Sequence, residues 1–155
     1  MDLHEISLIA TDVVLAVDAL DAGGAGGWIG TAVVNGVTYN TNSDWKCISG
    51  DTHGQQGGGS NVNAGWHGDP PPAGWSEVGF DDSAWVPATQ FGANGVGPWG
   101  DVNREMGTVD DGGDGTIAAD AQWIWTENNN NHNDIYCRLV IPGGCVAAPP
   151  GPPAG

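Results

Sequence analysis

One short stretch, residues 74–85, constrains the fold of this chain more than any other. Its three aromatic residues recur at every fifth position: Trp75, Phe80 and Trp85. Neither a helix nor a strand repeats at that interval. Each ring can bury about 150–250 Å², and Asp81 and Asp82 can bond nearby backbone N–H groups. The stretch therefore predicts an ordered loop in which the three rings and both aspartates have a structural role.

The composition predicts a folded, loop-rich β protein. The 155 residues include 27 glycines and 10 prolines, a content that approaches that of disordered chains. The 8 tryptophans argue against disorder, since disordered chains are poor in aromatic residues. A chain of this length suits one domain with its own core. We expect an all-β domain over residues 1–145 and an extended Pro/Gly-rich tail over residues 146–155.

The chain is strongly acidic, with 19 Asp and Glu against 3 Lys and Arg and a formal net charge of −16. Contact with phosphates would be repulsive, so we expect neither nucleic acid nor an anionic membrane surface as a partner. No apolar run is long enough for membrane insertion. Two interpretations of the charge remain: solubility of an exposed surface, or carboxylates that bind Ca²⁺.

Apolar and β-branched runs between turn signals predict a series of short strands. The alternative for the first of them is a helix over residues 12–20. Asn35-Gly36 is a strong hairpin signal, and Pro87 assigns its segment to a sheet edge or an extended loop. Residues 50–72 are polar and low in complexity, which predicts a long surface loop. The expected strands cover residues 6–20, 28–34, 37–39, 44–48, 83–91, 121–126 and 134–141.

Several of these segments together resemble the galactose-binding-domain-like β-sandwich, a jelly-roll module. The resemblance is carried by residues 74–85 together with Pro98-Trp-Gly100, Ala121-Gln-Trp-Ile-Trp125 and Ile135-Tyr-Cys-Arg138. Such modules accompany glycoside hydrolases, including α-L-rhamnosidases, as non-catalytic attachments, and they recur in large secreted and cell-surface proteins. The resemblance implies that this chain lacks the first strands of the sandwich. A sheet edge left open in this way can pair with another chain.

The resemblance also implies a disulfide between Cys47 and Cys137, which occupy positions that can pair between neighbouring strands. The alternative is two buried, reduced thiols. A bridge would close a loop of about 90 residues and stabilise the fold by roughly 4 kcal/mol in the chain-entropy model. Cys145 is left over, and an odd cysteine in a secreted chain predicts an intermolecular disulfide or a disulfide to a part of the chain outside this sequence.

Two kinds of ligand site are candidates. Asp110, Asp111 and Asp114 offer carboxylates for Ca²⁺ in a Gly-rich loop that does not match the EF-hand pattern, and a solvated Asp-Gly turn is the alternative. Trp66 and Trp99 lie in Gly-rich loops, where an exposed indole can stack on a sugar. The other tryptophans are predicted to be core residues or loop anchors, with Trp28 left open.

No motif points to catalysis. The four histidines have no nucleophile motif beside them, there is no Gly-x-Ser-x-Gly elbow, and neither standard phosphate-binding loop occurs. No catalytic residue and no certain cofactor is expected. The leading hypothesis is a non-catalytic extracellular structural module that forms homo-oligomers, filaments or a surface matrix. The alternative is a carbohydrate-binding module of a larger secreted enzyme or adhesin. The first residues lack a signal peptide, so we expect a mature fragment or a piece of a longer chain, with an intracellular protein as the alternative.

Overall fold

The described part of the chain contains eight β-strands in three antiparallel sheets. The computed structural model describes residues 11–21, 23–50, 70–102 and 117–143. The strands are β1 (Val13–Leu20), β2 (Thr31–Val34), β3 (Val37–Asn40), β4 (Lys46–Ser49), β5 (Val86–Pro87), β6 (Thr89–Ala93), β7 (Gln122–Trp125) and β8 (Asp134–Ile141). This all-β arrangement is consistent with a β-sandwich.

The largest sheet has the strand order β1-β8-β4-β5, so β8 is an inner strand. Strand β8 pairs with β1 along its whole length and with β4 over four residues. It is buried on both faces at its first five residues, because one face lies on the core and the other lies under a loop. The range predicted for this strand, 134–141, is confirmed.

The core lies on the face of the large sheet that carries Cys137. There Cys47, Ile135 and Cys137 pack with Trp125 and with other buried residues. The predicted disulfide joins Cys47 to Cys137, which stand directly opposite each other on β4 and β8. Both cysteines are fully buried, so the bridge ties two neighbouring strands inside the core.

A hairpin and a second two-stranded sheet complete the architecture. Strands β2 and β3 meet at Asn35 and Gly36, whose φ angles of 51° and 75° are those that an Asn-Gly hairpin turn requires. Strands β6 and β7 pair with a bulge between Gln90 and Gly92. Gly92 has φ 138°, and a Cβ there would lie 2.7 Å from Val96. A larger residue would therefore disturb the bulge.

Several predictions about elements are confirmed, and three are corrected. The single strand expected over 83–91 is two strands in different sheets, β5 and β6. The helix considered for residues 12–20 is wrong, because that segment forms strand β1 with alternate side chains on opposite faces. The strand expected over 28–34 begins at Thr31, and Trp28 makes only an isolated bridge to Ile124. Pro87 lies in the edge strand β5, as predicted. Residues 6–10, most of the expected loop over 50–72 and the tail over 146–155 lie outside the described residues.

Candidate interaction surface

The outer edge of β1 is open within the described part of the chain. Strand β1 is the last strand of its sheet and pairs only with β8 among the described strands. The Cα atoms of Cys47 and Cys137 are 4.1 Å apart, the short spacing of a pair that shares no backbone hydrogen bonds. The peptide groups of Cys137 therefore face β1, and Val17 opposite it bonds to β8.

Because bonding alternates along a strand, the neighbours of Val17 direct their peptide groups the other way. The bond from the Asp21 amide to the Asn133 carbonyl, at 2.7 Å, continues the same alternation. The N–H and C=O groups of four residues therefore point out of the sheet at what we call the β1 edge. These residues are Val14, Ala16, Asp18 and Leu20.

An apolar groove of about 390 Å³ is lined by residues 14–17 of β1 and by residues of the β2–β3 hairpin. Its walls include Val14 and Val17 on one side and Ala32 and Tyr39 on the other, and no charged residue lines it. Leu15, Val17 and Trp28 pack against the core, yet each is only partly buried. The core is thus incompletely covered here, in a groove of the kind that an added strand covers.

The opposite edge of the sheet is protected. Strand β5 is two residues long and contains Pro87, which has no N–H to donate. Short edge strands with proline are a common device against edge-to-edge pairing. The two edges of the sheet are therefore not equivalent, and β1 is the one suited to pairing.

The loop that sequence analysis singled out, residues 74–85, lies on the face of β8 that points away from the core. Trp75 and Trp85 stack with ring centroids 6.2 Å apart, and Phe80 meets Trp85 edge-on at 5.7 Å. Trp75 also contacts Tyr136 of β8, with 5.3 Å between centroids. The three rings thus contact one another, and the loop lies against the outer face of β8.

Asp82 attaches this loop to the sheet through two cations. Its Oδ1 accepts a bond from Lys46 Nζ at 2.8 Å, and its Oδ2 pairs with Arg138 Nη1. Arg138 is 1% exposed. It also donates to the Glu77 carbonyl at 3.0 Å and lies over the Phe80 ring. The chain has 3 basic residues, and Asp82 holds two of them.

The electrostatics of the two neighbouring aspartates differ. Burial raises the pKa of Asp82, but the hydrogen bonds and charges of Lys46 and Arg138 outweigh burial and hold that pKa below its usual value. The pKa of Asp81 is lowered chiefly by the Ser83 side chain and also by the Ser83 amide, which donates to its Oδ1 at 3.0 Å. The Asp82 carboxylate therefore binds cations from distant segments, whereas the Asp81 carboxylate accepts hydrogen bonds within its own turn.

Trp99, one of the two predicted sugar-stacking residues, makes contacts within the protein through both its ring and its N–H group. It stacks on Trp123 with centroids 5.1 Å apart, and its Nε1 donates to the Ala25 carbonyl at 2.8 Å. A Cβ on Gly27 would lie 2.6 Å from the indole. Five other tryptophans were predicted to be core residues or loop anchors. Trp75 is partly buried, and the other four are buried: Trp45, Trp85, Trp123 and Trp125.

A second concavity, which we call the Tyr39 notch, lies between β3 and the end of β8. Its volume is about 450 Å³. Leu139 and Val140 form its apolar part, and Asn42 and Asp44 are among its polar residues. Sequence reasoning missed the notch, because its residues come together only through the fold. The Asn40-Thr-Asn run was the available local signal.

Several predicted site residues lie outside the described residues. They are Trp66, the proposed Ca²⁺ ligands Asp110, Asp111 and Asp114, and Cys145. Within the described ranges, no group of three or more His, Cys, Asp and Glu side chains is placed to hold a metal ion. The described histidine, His132, contacts the Thr126 hydroxyl through Nδ1 at 2.7 Å.

Comparison with known proteins adds no relative. No protein-family model, curated protein or solved structure matches this chain. In the parts of the chain that the structure describes, no helix is both long and apolar enough to cross a membrane.

Proposed function

We propose that this chain is a non-catalytic, extracellular structural module that assembles through the β1 edge with copies of itself. In this proposal the all-β fold is a jelly-roll sandwich of the galactose-binding type that lacks its first strands. Pairs joined at the β1 edge are linked further, through Cys145 and the Pro/Gly-rich tail, into a surface fibre, appendage or matrix. The observation that carries the proposal is the β1 edge, which no described strand covers, beside core residues that are only partly buried.

An uncovered sheet edge has unpaired peptide groups and favours association with another strand, which supports this function. Outward peptide groups and partly exposed core residues form a template for another strand. Native sheets usually blunt such edges, as β5 does here with Pro87. In β1 the corresponding residues are mostly apolar, and Asp18 is the one charged residue of the strand.

The disulfide supports the proposed location. Cys47 and Cys137 are bridged and fully buried, and disulfides persist mainly in oxidising compartments. The net charge of −16 suits a soluble surface exposed to salt. Cys145 and the Pro/Gly-rich tail over 146–155 supply further means of linking modules in sequence.

Light scattering of the native protein at increasing concentration tests the proposal. We expect a mass that rises with concentration and does not respond to soluble sugars. Loss of the larger species with reductant would indicate that a Cys145 disulfide also links the copies. Loss with EDTA would indicate that Ca²⁺ bound at Asp110, Asp111 and Asp114 also links them. A monomer at every concentration would contradict the proposal.

The Tyr39 notch favours a second candidate, a carbohydrate-binding module. One aromatic side chain beside Asn42 and Asp44 offers a stacking surface together with groups that can bond hydroxyls. A glycan array with the wild type and a Tyr39→Ala variant tests this function. Binding that the variant loses would favour it, and Trp99→Ala serves as the control on the other aromatic candidate.

A further inference from the structure

We propose that the strand which fills the β1 edge is β1 of a second copy, paired antiparallel about a twofold axis. This inference rests on the proposed assembly function and names its partner and register. One such contact closes the open edges of both copies at once, as an isologous interface does. The two four-stranded sheets would become one continuous sheet of the dimer.

The direction of the peptide groups restricts the register. Outward residues must face outward residues for backbone bonds to form. If Val17 lies on the twofold axis, Val14 pairs with Leu20 of the partner subunit, and Ala16 pairs with Asp18 of the partner subunit. All four outward residues of each copy then bond across the interface. A shift of the twofold axis to Ala16 leaves Leu20 without an outward residue of β1 to face.

Side-chain chemistry selects the same register. A pairing centred on Asp18 would oppose two carboxylates, which is destabilising, whereas the Val17-centred pairing places Ala16 opposite that carboxylate. On the core side of the sheet, Leu15 would face Ala19 of the partner subunit, and Val17 would face its own copy. All three residues are partly buried against the core, and Leu15 and Val17 also line the groove, so the added strand shields them further.

The lack of charge in the groove and the net charge of the whole molecule together determine how the strength of the dimer depends on salt. No charged residue lines the groove, so the groove holds no charge–charge attraction that salt could screen. Each copy carries −16, and salt screens this repulsion over a distance of about 8–10 Å at physiological ionic strength. We therefore expect the dimer to become stronger as salt is added.

Cysteine cross-linking in a Cys145→Ser background tests the partner and the register. Two variants are made, Ala16→Cys and Asp18→Cys, and each is oxidised alone and in an equal mixture. Directly opposed residues of a bonded pair lie about 5.5 Å apart, within the span of a disulfide. Copies of the same cysteine would lie diagonally, about 7–8 Å apart, beyond that span.

On a non-reducing denaturing gel we expect a cross-linked, reductant-sensitive dimer in the mixture and chains without a cross-link in each single sample. Cross-linking of Ala16→Cys alone would overturn the Val17-centred register. If the background protein assembles by light scattering but no sample cross-links, another segment fills the edge: the inference fails and the proposed function survives. If the background protein stays monomeric while the wild type assembles, Cys145 carries the assembly and the inference fails. If the wild type is monomeric as well, both fail.

Discussion

Cys47 and Cys137 face each other across β4 and β8 with their Cα atoms 4.1 Å apart. This spacing identifies which peptide groups of β8 bond to which neighbour. From it follows the direction of every peptide group in β1. The disulfide therefore has a second consequence besides stability, since it indicates which residues of β1 can pair with another strand.

Removing the bridge with the double variant Cys47→Ala/Cys137→Ala should destabilise the domain by about 4 kcal/mol, because the bridge closes a long loop of the unfolded chain. Urea unfolding followed by far-UV circular dichroism measures the change. Cys145→Ser is the control and should leave the midpoint unchanged. An unchanged midpoint in the double variant would contradict the structural role of the disulfide.

Replacing Asp82 with Asn should cost about 2–4 kcal/mol, because it leaves the buried Arg138 without its carboxylate. The figure lies below that for a fully buried pair, since the Asp82 side chain is 20% exposed. Urea unfolding again measures it. The matched control is Asp81→Asn, whose side chain bonds only within the turn and whose loss should be clearly smaller. Equal losses would contradict the assignment of Asp82 as the attachment point.

The same carboxylate makes stability depend on pH. Because the pKa of Asp82 is lower in the folded protein than the ordinary value of 3.8, the folded state holds this group ionised more readily. Its contribution is present in full above the unfolded-state value and is lost as pH falls through the folded-state value. Stability measured by urea unfolding should therefore decline below about pH 4.

Asp82→Asn should show a shallower decline with acid than the wild type. A residual slope is expected from Asp81, whose pKa is also lowered. Identical slopes in the two proteins would contradict the contribution of Asp82. Arg138 stays protonated throughout this range, so the slope reports carboxylates.

Local patterns predicted the strands better than they predicted the contacts between them. Strand β8, the Asn35-Gly36 hairpin and the edge position of Pro87 each follow from residues adjacent in sequence. The junction of Asp82 with Lys46 and Arg138 joins positions 36 and 56 residues apart. No local periodicity encodes such a contact, although an arginine between two apolar residues of a strand is a signal that one face carries a partner.

The candidate surface shows the same division. The resemblance predicts an open sheet edge, and this stays a prediction; among the described strands, β1 is the last strand of its sheet. The groove beside it was not predictable, because Trp28, Tyr39 and Val17 meet there only through the hairpin and the sheet order. The same holds for Trp99, whose contacts with Trp123 and Ala25 join distant segments.

The most direct test of the account compares Ala16→Pro with Ala16→Val by sedimentation equilibrium. The Ala16 N–H points out of the sheet, so proline removes a bond to a partner strand and none to β8. Valine keeps the N–H and suits a strand. We predict that both variants fold, that the valine variant assembles like the wild type, and that the proline variant is monomeric. Assembly of a folded proline variant at wild-type strength would contradict the claim that the β1 edge mediates association.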